Sequence, residues 1–308
     1  MSIALEINSK RSGDWRDELL KLLPGTKIEI YPDIENPNEV EFILCWKPAP
    51  AYYKRFPNLK VVQSAGAGID HLFPESLPEH ISVSKIVDPV LKEDMFEHVL
   101  TCLMNGMKNF ASYAQNKSNK QWNPLAYMTI DQTKVAILGL GEIGGYVAEK
   151  LAGMGFDVKG WSNSKKNIPG VESFVGLDEL GSAIDAVDFV VNILPLTTQT
   201  ENILNRDVFK LFKSGSILIN VGRGGHVVED ALLEAIENKV IKAAYLDVFH
   251  HEPLPEDHLF WDCAPIFITP HVASRTNIAS SVKQVVDNYK RMLHHQSLLN
   301  EVSLKKGY

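Results

Sequence analysis

Short apolar runs alternate with polar or amphipathic stretches along the whole chain, and the two kinds of stretch predict strands and helices in turn. Near the start, residues 3–7, 27–31, 41–46, 59–63 and 81–86 read as strands, with a helix over 14–23 between the first two. Strands separated by helical segments require crossover connections, so these strands are expected to lie parallel in one sheet. Over residues 92–117 the pattern changes. Met95, Val99, Leu103, Met107 and Phe110 recur at three or four residues, the spacing of one long helix that closes this first unit.

After two turn segments, Trp122-Asn123-Pro124 and Tyr127, a second alternating series begins at Lys134, with strands expected at 135–138, 157–161, 189–193, 216–221, 243–248 and 266–269. Asn205 precedes a helix over 206–213 that Gly215 closes, and Glu229-Asp230 open another over 231–238. These features predict a doubly wound sheet. The segment 277–296 places Ile278, Val282, Val285, Val286, Tyr289, Met292 and Leu293 on one helical face, which must dock on something. Its return to the first unit would make that domain discontinuous. A length of 308 residues suits two domains of ordinary size. The expected division is 1–97 with 276–308 as one α/β domain and 98–275 as the other.

Composition narrows the partners. With 45% hydrophobic and 22% charged residues the chain is an ordinary globular protein. Its 31 basic against 38 acidic residues, a net charge of −7, disfavour a broad grip on nucleic acid or on an anionic membrane. No window approaches a spanning helix, and residues 1–15 carry neither a basic start nor a sustained apolar run, so a cytoplasmic protein is expected. Cys45, Cys102 and Cys263 lie far apart among apolar neighbours and read as small core residues.

Two places carry chemistry. The first is Gly139-Leu140-Gly141-Glu142-Ile143-Gly144, set between the strand 135–138 and a helical pattern through Val147, Leu151 and Met154. Glycines at this spacing allow a tight turn, close approach of a pyrophosphate to a helix N-terminus, and packing of helix on strand. An NAD site would end the next strand with a carboxylate for the ribose hydroxyls. Here that end reads Trp161-Ser162-Asn163-Ser164-Lys165-Lys166. Hydroxyls, an amide and two ammonium groups suit a 2′-phosphate, which favours NADP(H), with NAD(H) possible; the plainer alternative is a solvated basic turn.

The second place is a trio of polar residues just beyond apolar strands, where open parallel sheets bind ligands. Arg223 follows one strand in Asn220-Val221-Gly222-Arg223-Gly224-Gly225, and its rigid fork suits a carboxylate. Glu252 stands in His251-Glu252-Pro253-Leu254-Pro255 and His271 in Thr269-Pro270-His271-Val272-Ala273. A carboxylate beside an imidazole fixes its tautomer and favours the protonated ring, as a general acid needs.

In these motifs the chain resembles the D-isomer-specific 2-hydroxyacid dehydrogenase family, and the order of elements agrees nearly from end to end. Within the family it looks most like the glyoxylate/hydroxypyruvate reductase A branch, through Trp46-Lys47-Pro48, Gly66-Ala67-Gly68-Ile69-Asp70, Trp161-Ser162, Gly170-Val171-Glu172-Ser173-Phe174, His226-Val227-Val228-Glu229-Asp230 and the Gly307-Tyr308 end. The resemblance implies a Rossmann-like cofactor domain, a flavodoxin-like substrate domain, a homodimer, and NADPH-dependent reduction of small 2-oxo acids such as glyoxylate and hydroxypyruvate. It implies that His271 protonates the keto oxygen, that Glu252 holds His271, and that Arg223 binds the substrate carboxylate. Trp46 and the backbone at Ala67 and Gly68 would complete the substrate site. Asp247 would face the nicotinamide carboxamide and Leu194-Pro195-Leu196 would cover the cofactor, with Val221, Gly222 and Ala273 also lining its site. Gly222 replaces a small Ala often found before the catalytic Arg, a change expected to loosen the loop. Asn163 stands where NADP-preferring relatives commonly carry Arg, so the basic contact would rest on Lys165 or Lys166.

Other features have plainer explanations. His250-His251 and His294-His295 read as surface histidines, with no ligand cluster around them, so no metal is expected. Two other functions stay open: an NAD-linked D-2-hydroxyacid dehydrogenase of another substrate, and a non-catalytic dinucleotide-sensing protein.

Overall fold

The computed structural model describes residues 1–7, 11–48, 52–72, 77–78 and 80–302. The Gly307-Tyr308 end of the resemblance lies outside them. In chain order the elements are β1 (Ser2–Ile7), α1 (Arg11–Leu22), β2 (Lys27–Ile30), β3 (Val40–Trp46), β4 (Val61–Ser64), β5 (Ser82–Ser84), α2 (Pro89–Lys108) and α3 (Phe110–Ser118). Then follow β6 (Lys134–Leu138), α4 (Glu142–Gly153), β7 (Asp157–Ser162), β8 (Val171–Val175), α5 (Leu180–Ile184), β9 (Phe189–Asn192), α6 (Arg206–Phe209), β10 (Ser216–Asn220), α7 (Glu229–Glu237), β11 (Ile241–Leu246), β12 (Ile266–Ile268) and α8 (Ile278–Leu293). They form two compact units, Met1–Leu91 with Arg275–Tyr308, and Lys92–Ser274.

The first unit holds a five-stranded parallel sheet in the order β2-β1-β3-β4-β5. This is the flavodoxin-like order, whose direction of growth reverses between β1 and β3. On one face, Trp15 and Leu19 of α1 and Val282, Val285, Val286, Tyr289 and Met292 of α8 pack on Ile3, Leu5, Phe42 and Leu44. The apolar face of the last helix is thus buried in this unit. Asn288 fastens it, donating to Gln63 at 3.2 Å and Ser84 at 3.0 Å while accepting from Leu299 N at 2.7 Å.

The second unit holds a seven-stranded parallel sheet in the order β12-β11-β10-β9-β6-β7-β8. Central strands such as β9 and β10 are buried at every position, as expected where helices cover both faces. Met95, Val99, Leu103 and Met107 of α2 are core residues on one of those faces. Gly106 lets that helix lie close: a Cβ there would stand 2.8 Å from Ile217 Cδ1.

Two expectations change. The single helix over 92–117 is two, because Asn109 takes a left-handed backbone at φ 56°. Asn tolerates that conformation, and here its side chain holds the break by donating to Ala126 O at 2.7 Å and accepting from Lys242 Nζ at 3.2 Å. The strand β8 is additional. It lies at the sheet edge with no position fully buried, so its residues show no clean apolar run.

Candidate active site

The glycine loop after β6 has a separate reason for each glycine. Gly139 sits at φ +106°, closed to ordinary side chains, and a Cβ there would meet the Ile193 backbone at 3.0 Å. Gly144 lies so close to the loop that a Cβ would fall 1.8 Å from Gly139 O. Around Gly141, just ahead of α4, a Cβ would find nothing within 4 Å. This open cradle at the start of a 12-residue helix fits the pyrophosphate of a dinucleotide. Leu140 is buried beneath the loop, and Ile143 packs on the same core. Glu142, an anion in the first turn, is paired with Lys92 at 2.7 Å.

The turn after β7 lies beside this loop, since Gly139 N donates to Trp161 O at 2.9 Å. Ser162 is buried and its Oγ donates to Ser164 O at 2.7 Å, whereas Asn163, Ser164, Lys165 and Lys166 are exposed. Trp161 fixes the far side by donating from Nε1 to Gly176 O at 2.7 Å.

At the ends of β9 to β12 the polar groups are knitted together. Glu252 Oε1 accepts from Phe249 N at 3.2 Å, and its Oε2 lies 2.8 Å from His271 Nδ1. A carboxylate can only accept, so His271 Nδ1 carries the proton and donates it, which directs Nε2 away from Glu252. His271 itself is held in a left-handed conformation at φ 52°, and such conformations persist only where the surroundings enforce them. The enforcing group is buried Asp247. Its carboxylate accepts from Thr269 Oγ1 at 2.6 Å, Val272 N at 2.8 Å and Ala273 N at 2.9 Å, and its carbonyl accepts from His271 N at 2.9 Å.

Arg223 stands on a similarly braced turn. Gly224 presses against the next strand's loop so tightly that a Cβ would lie 1.9 Å from Phe249 C, which joins the Arg223 turn to the Glu252 loop. Behind it, Asn192 donates to Asn220 Oδ1 at 2.8 Å and faces His226 Nδ1 at 2.9 Å, while Arg223 N also donates to His226 Nδ1 at 3.1 Å. His226 Nδ1 is therefore the acceptor, and its protonated Nε2 faces Pro195 O at 3.2 Å. Val221 N donates to Asn192 O at 3.1 Å, and Leu194 N to Asn192 Oδ1 at 3.3 Å. Gly222 lies close to its neighbours, since a Cβ there would stand 3.0 Å from Leu194 O and 3.1 Å from Asn192 Nδ2.

The sequence reading does not single out Asn192, Asn220 and His226, which brace the Arg223 turn. Polar residues closing the apolar runs of β9 and β10 were the available signal. His98 was missed too. It sits on α2 with Asp247 among its charged neighbours, and burial holds its ring below the ordinary imidazole value, with the Asp247 charge opposing. Burial, then the Asp247 charge, pushes the nearby Cys102 thiol up to about 12. The paired histidines at 250–251 and 294–295 are exposed.

In the first unit, Trp46 ends β3, and Ala67 and Gly68 follow β4, so all three lie at the C-terminal edge of that sheet. Ser64 shapes the loop, donating from Oγ to Gly68 O at 2.7 Å and accepting from Gly66 N at 3.2 Å.

A glycine-cradled helix start and a carboxylate-held imidazole on one parallel sheet define a dinucleotide-binding oxidoreductase. The family described as D-isomer specific 2-hydroxyacid dehydrogenase, NAD binding domain, matches residues 100–273, and the chain belongs to that family. It is 33% identical over 302 residues to the glyoxylate/hydroxypyruvate reductase A of Serratia proteamaculans, covering 96% of each chain. A D-isomer specific 2-hydroxyacid dehydrogenase from Xanthobacter autotrophicus, solved with NADPH and MES, superposes with a TM-score of 0.94 at 33% identity, over 100% of this chain and 99% of that one. The NADPH-dependent glyoxylate/hydroxypyruvate reductase of Sinorhizobium meliloti, solved with NADP and sulfate, superposes with a TM-score of 0.92 at 31% identity over the full length of both.

Proposed function

We propose that this protein is an NADPH-dependent reductase of small 2-oxo acids, glyoxylate and hydroxypyruvate among them. The observation that carries the reading is the His271–Glu252 pair, 2.8 Å apart on the sheet that bears the glycine cradle, beside the Arg223 turn. A reduced nicotinamide dinucleotide, when bound, supplies the hydride. His271, its Nδ1 proton engaged by Glu252, gives the Nε2 proton to the keto oxygen. Arg223 holds the substrate carboxylate, and in the five-stranded unit the backbone N–H groups at Ala67 and Gly68 suit a carboxylate as well. Asp247 keeps the His271 loop in place. Residues 139–144 take the pyrophosphate, and Ser162, Asn163, Ser164 and Lys165 take the ribose end.

A cytoplasmic homodimer is proposed, its contact face built on the exposed aromatics Phe110, Tyr113, Trp122 and Tyr127 beside α3. A monomeric mass by light scattering would remove the dimer. The function is tested by initial rates with NADPH and NADH against glyoxylate, hydroxypyruvate and pyruvate. Turnover with NADPH on the first two, abolished in His271→Gln, is expected; measurable dinucleotide binding with no turnover on any acid would move the assignment to a sensor.

A further inference from the structure

The five-stranded sheet carries a device that the reaction does not require. Trp46 is the last residue of β3 and pairs in register with Ile7, the last residue of β1. These two strands flank the point where the sheet's direction of growth reverses, the place where ligands of such sheets lie. Two residues crowd the indole. His71 meets it with ring centroids 4.1 Å apart and planes at 54°. The indole also occupies the space a side chain at residue 66 would need, since a Cβ on Gly66 would lie 2.5 Å from Cζ3 and 3.2 Å from Cε3 and Cη2. Both walls are firm. His71 is carried on a short helical turn between buried Ile69 and Leu72, and Gly66 is fixed by its bonds to Ser64 Oγ and from Ile86 N. The indole thus lies against Gly66 with the His71 ring packed on it.

We infer that His71 is a positioning residue that holds the Trp46 ring as a size limit on the 2-oxo acid, admitting substituents up to about hydroxymethyl and excluding longer apolar ones. The inference rests on the proposed reductase reading. It assigns His71 no contact with the reacting atoms. Removing its ring gives the indole room to move and enlarges the space at the C-terminal edge of the five-stranded sheet.

The test is a substrate series, glyoxylate, hydroxypyruvate, 2-oxobutyrate and 4-methyl-2-oxopentanoate, run with NADPH on the native enzyme and on His71→Ala, His71→Phe and Gly66→Ala. In His71→Ala the kcat/KM for the two longer acids relative to glyoxylate should rise by roughly tenfold, about what one methylene is worth in a fitted pocket. The change should appear in KM more than in kcat. His71→Phe, which restores a ring against the indole, should return the native ratio. Gly66→Ala, whose Cβ would displace the indole directly, should shift the ratio without touching residue 71. An unchanged ratio in both His71→Ala and Gly66→Ala, or a His71→Phe that behaves like His71→Ala, overturns the inference while leaving the reductase reading intact. If the native protein reduces none of these acids, the reductase reading fails instead. The brace is then judged by acrylamide quenching of the Trp46 emission, isolated by difference against Trp46→Phe. Greater quenching in His71→Ala supports the brace and equal quenching removes it.

Discussion

Two corners of the seven-stranded sheet are built in opposite ways. At the ends of β9 to β12, each group that positions the chemistry is tied to another: Asn192 to Asn220 and His226, His226 to Arg223, Asp247 to the loop that carries His271, Glu252 to His271. At the ends of β6 and β7, the pyrophosphate cradle is shaped by backbone, and the turn that would read the 2′-phosphate is left to exposed side chains. Proton transfer depends on placing one atom to a fraction of an ångström, and a satisfied buried network supplies that rigidity. Recognition of a phosphate depends on charge over a longer range, and mobile ammonium groups at the surface suffice for it.

The largest effect should follow from breaking the first corner at its reacting end. His271→Gln keeps a polar side chain but removes the titratable proton, and positioned general acids contribute roughly 10²- to 10⁴-fold to rate. A loss of that size in kcat for glyoxylate, with NADPH affinity unchanged by fluorescence titration, is expected; retained turnover would remove His271 from the chemistry. A smaller loss should come from behind the site. Asn192→Ala strips the fully buried network of a donor to Asn220 and to His226, and an orphaned buried polar group costs about 1–3 kcal/mol. Lower stability to urea with a fall in kcat is expected, because Arg223 N shares His226 as its acceptor. Native stability in that variant would show the network to be dispensable.

This corner also divides what the sequence shows from what it hides. The glycine spacing, the strand ends carrying Arg223, Glu252 and His271, and the alternation of apolar runs are local patterns, and periodicity reads them directly. The family resemblance then supplied roles for Asp247 and Trp46. Asn192, Asn220 and His226 lie 28 and 34 residues apart along the chain and meet only because β9 and β10 are neighbours in the sheet. No local pattern marks such a meeting. The break at Asn109 was hidden for the complementary reason: the apolar spacing continues across it, and only the side chain's bonds to Ala126 and Lys242 hold the turn.

A third effect, smaller again, concerns His98 of α2, whose ring feels the Asp247 charge. Burial holds its ring below the ordinary imidazole value of 6.5. A depressed folded value means that the unfolded chain takes up the proton first as the solution is acidified. Its contribution to stability is therefore present above pH 6.5 and is lost as pH falls below that value. Urea midpoints measured from pH 8 down to pH 5 should decline more gently in His98→Gln than in the native protein. Parallel declines would mean that the ring does not titrate differently on folding.

The smallest effect tests the second corner. Lys165 and Lys166 are exposed, and Ser162 already spends its hydroxyl proton on Ser164 O, so the basic contact of this turn rests on two solvent-facing ammonium groups. Exposed charge contacts are worth little, and each Lys→Ala change should weaken NADPH binding by no more than about fivefold. NADH, which lacks the 2′-phosphate, should bind equally well to the native protein and to both variants. The loss for NADPH should also shrink as salt rises from about 0.01 to 0.15 M, because the screening length falls from about 30 Å to about 8 Å. Dissociation constants for both dinucleotides at the two salt concentrations decide the matter. A loss much larger than fivefold, or one that salt leaves untouched, would mean that one lysine is drawn into an ordered contact when the dinucleotide binds, and that the second corner is built more like the first.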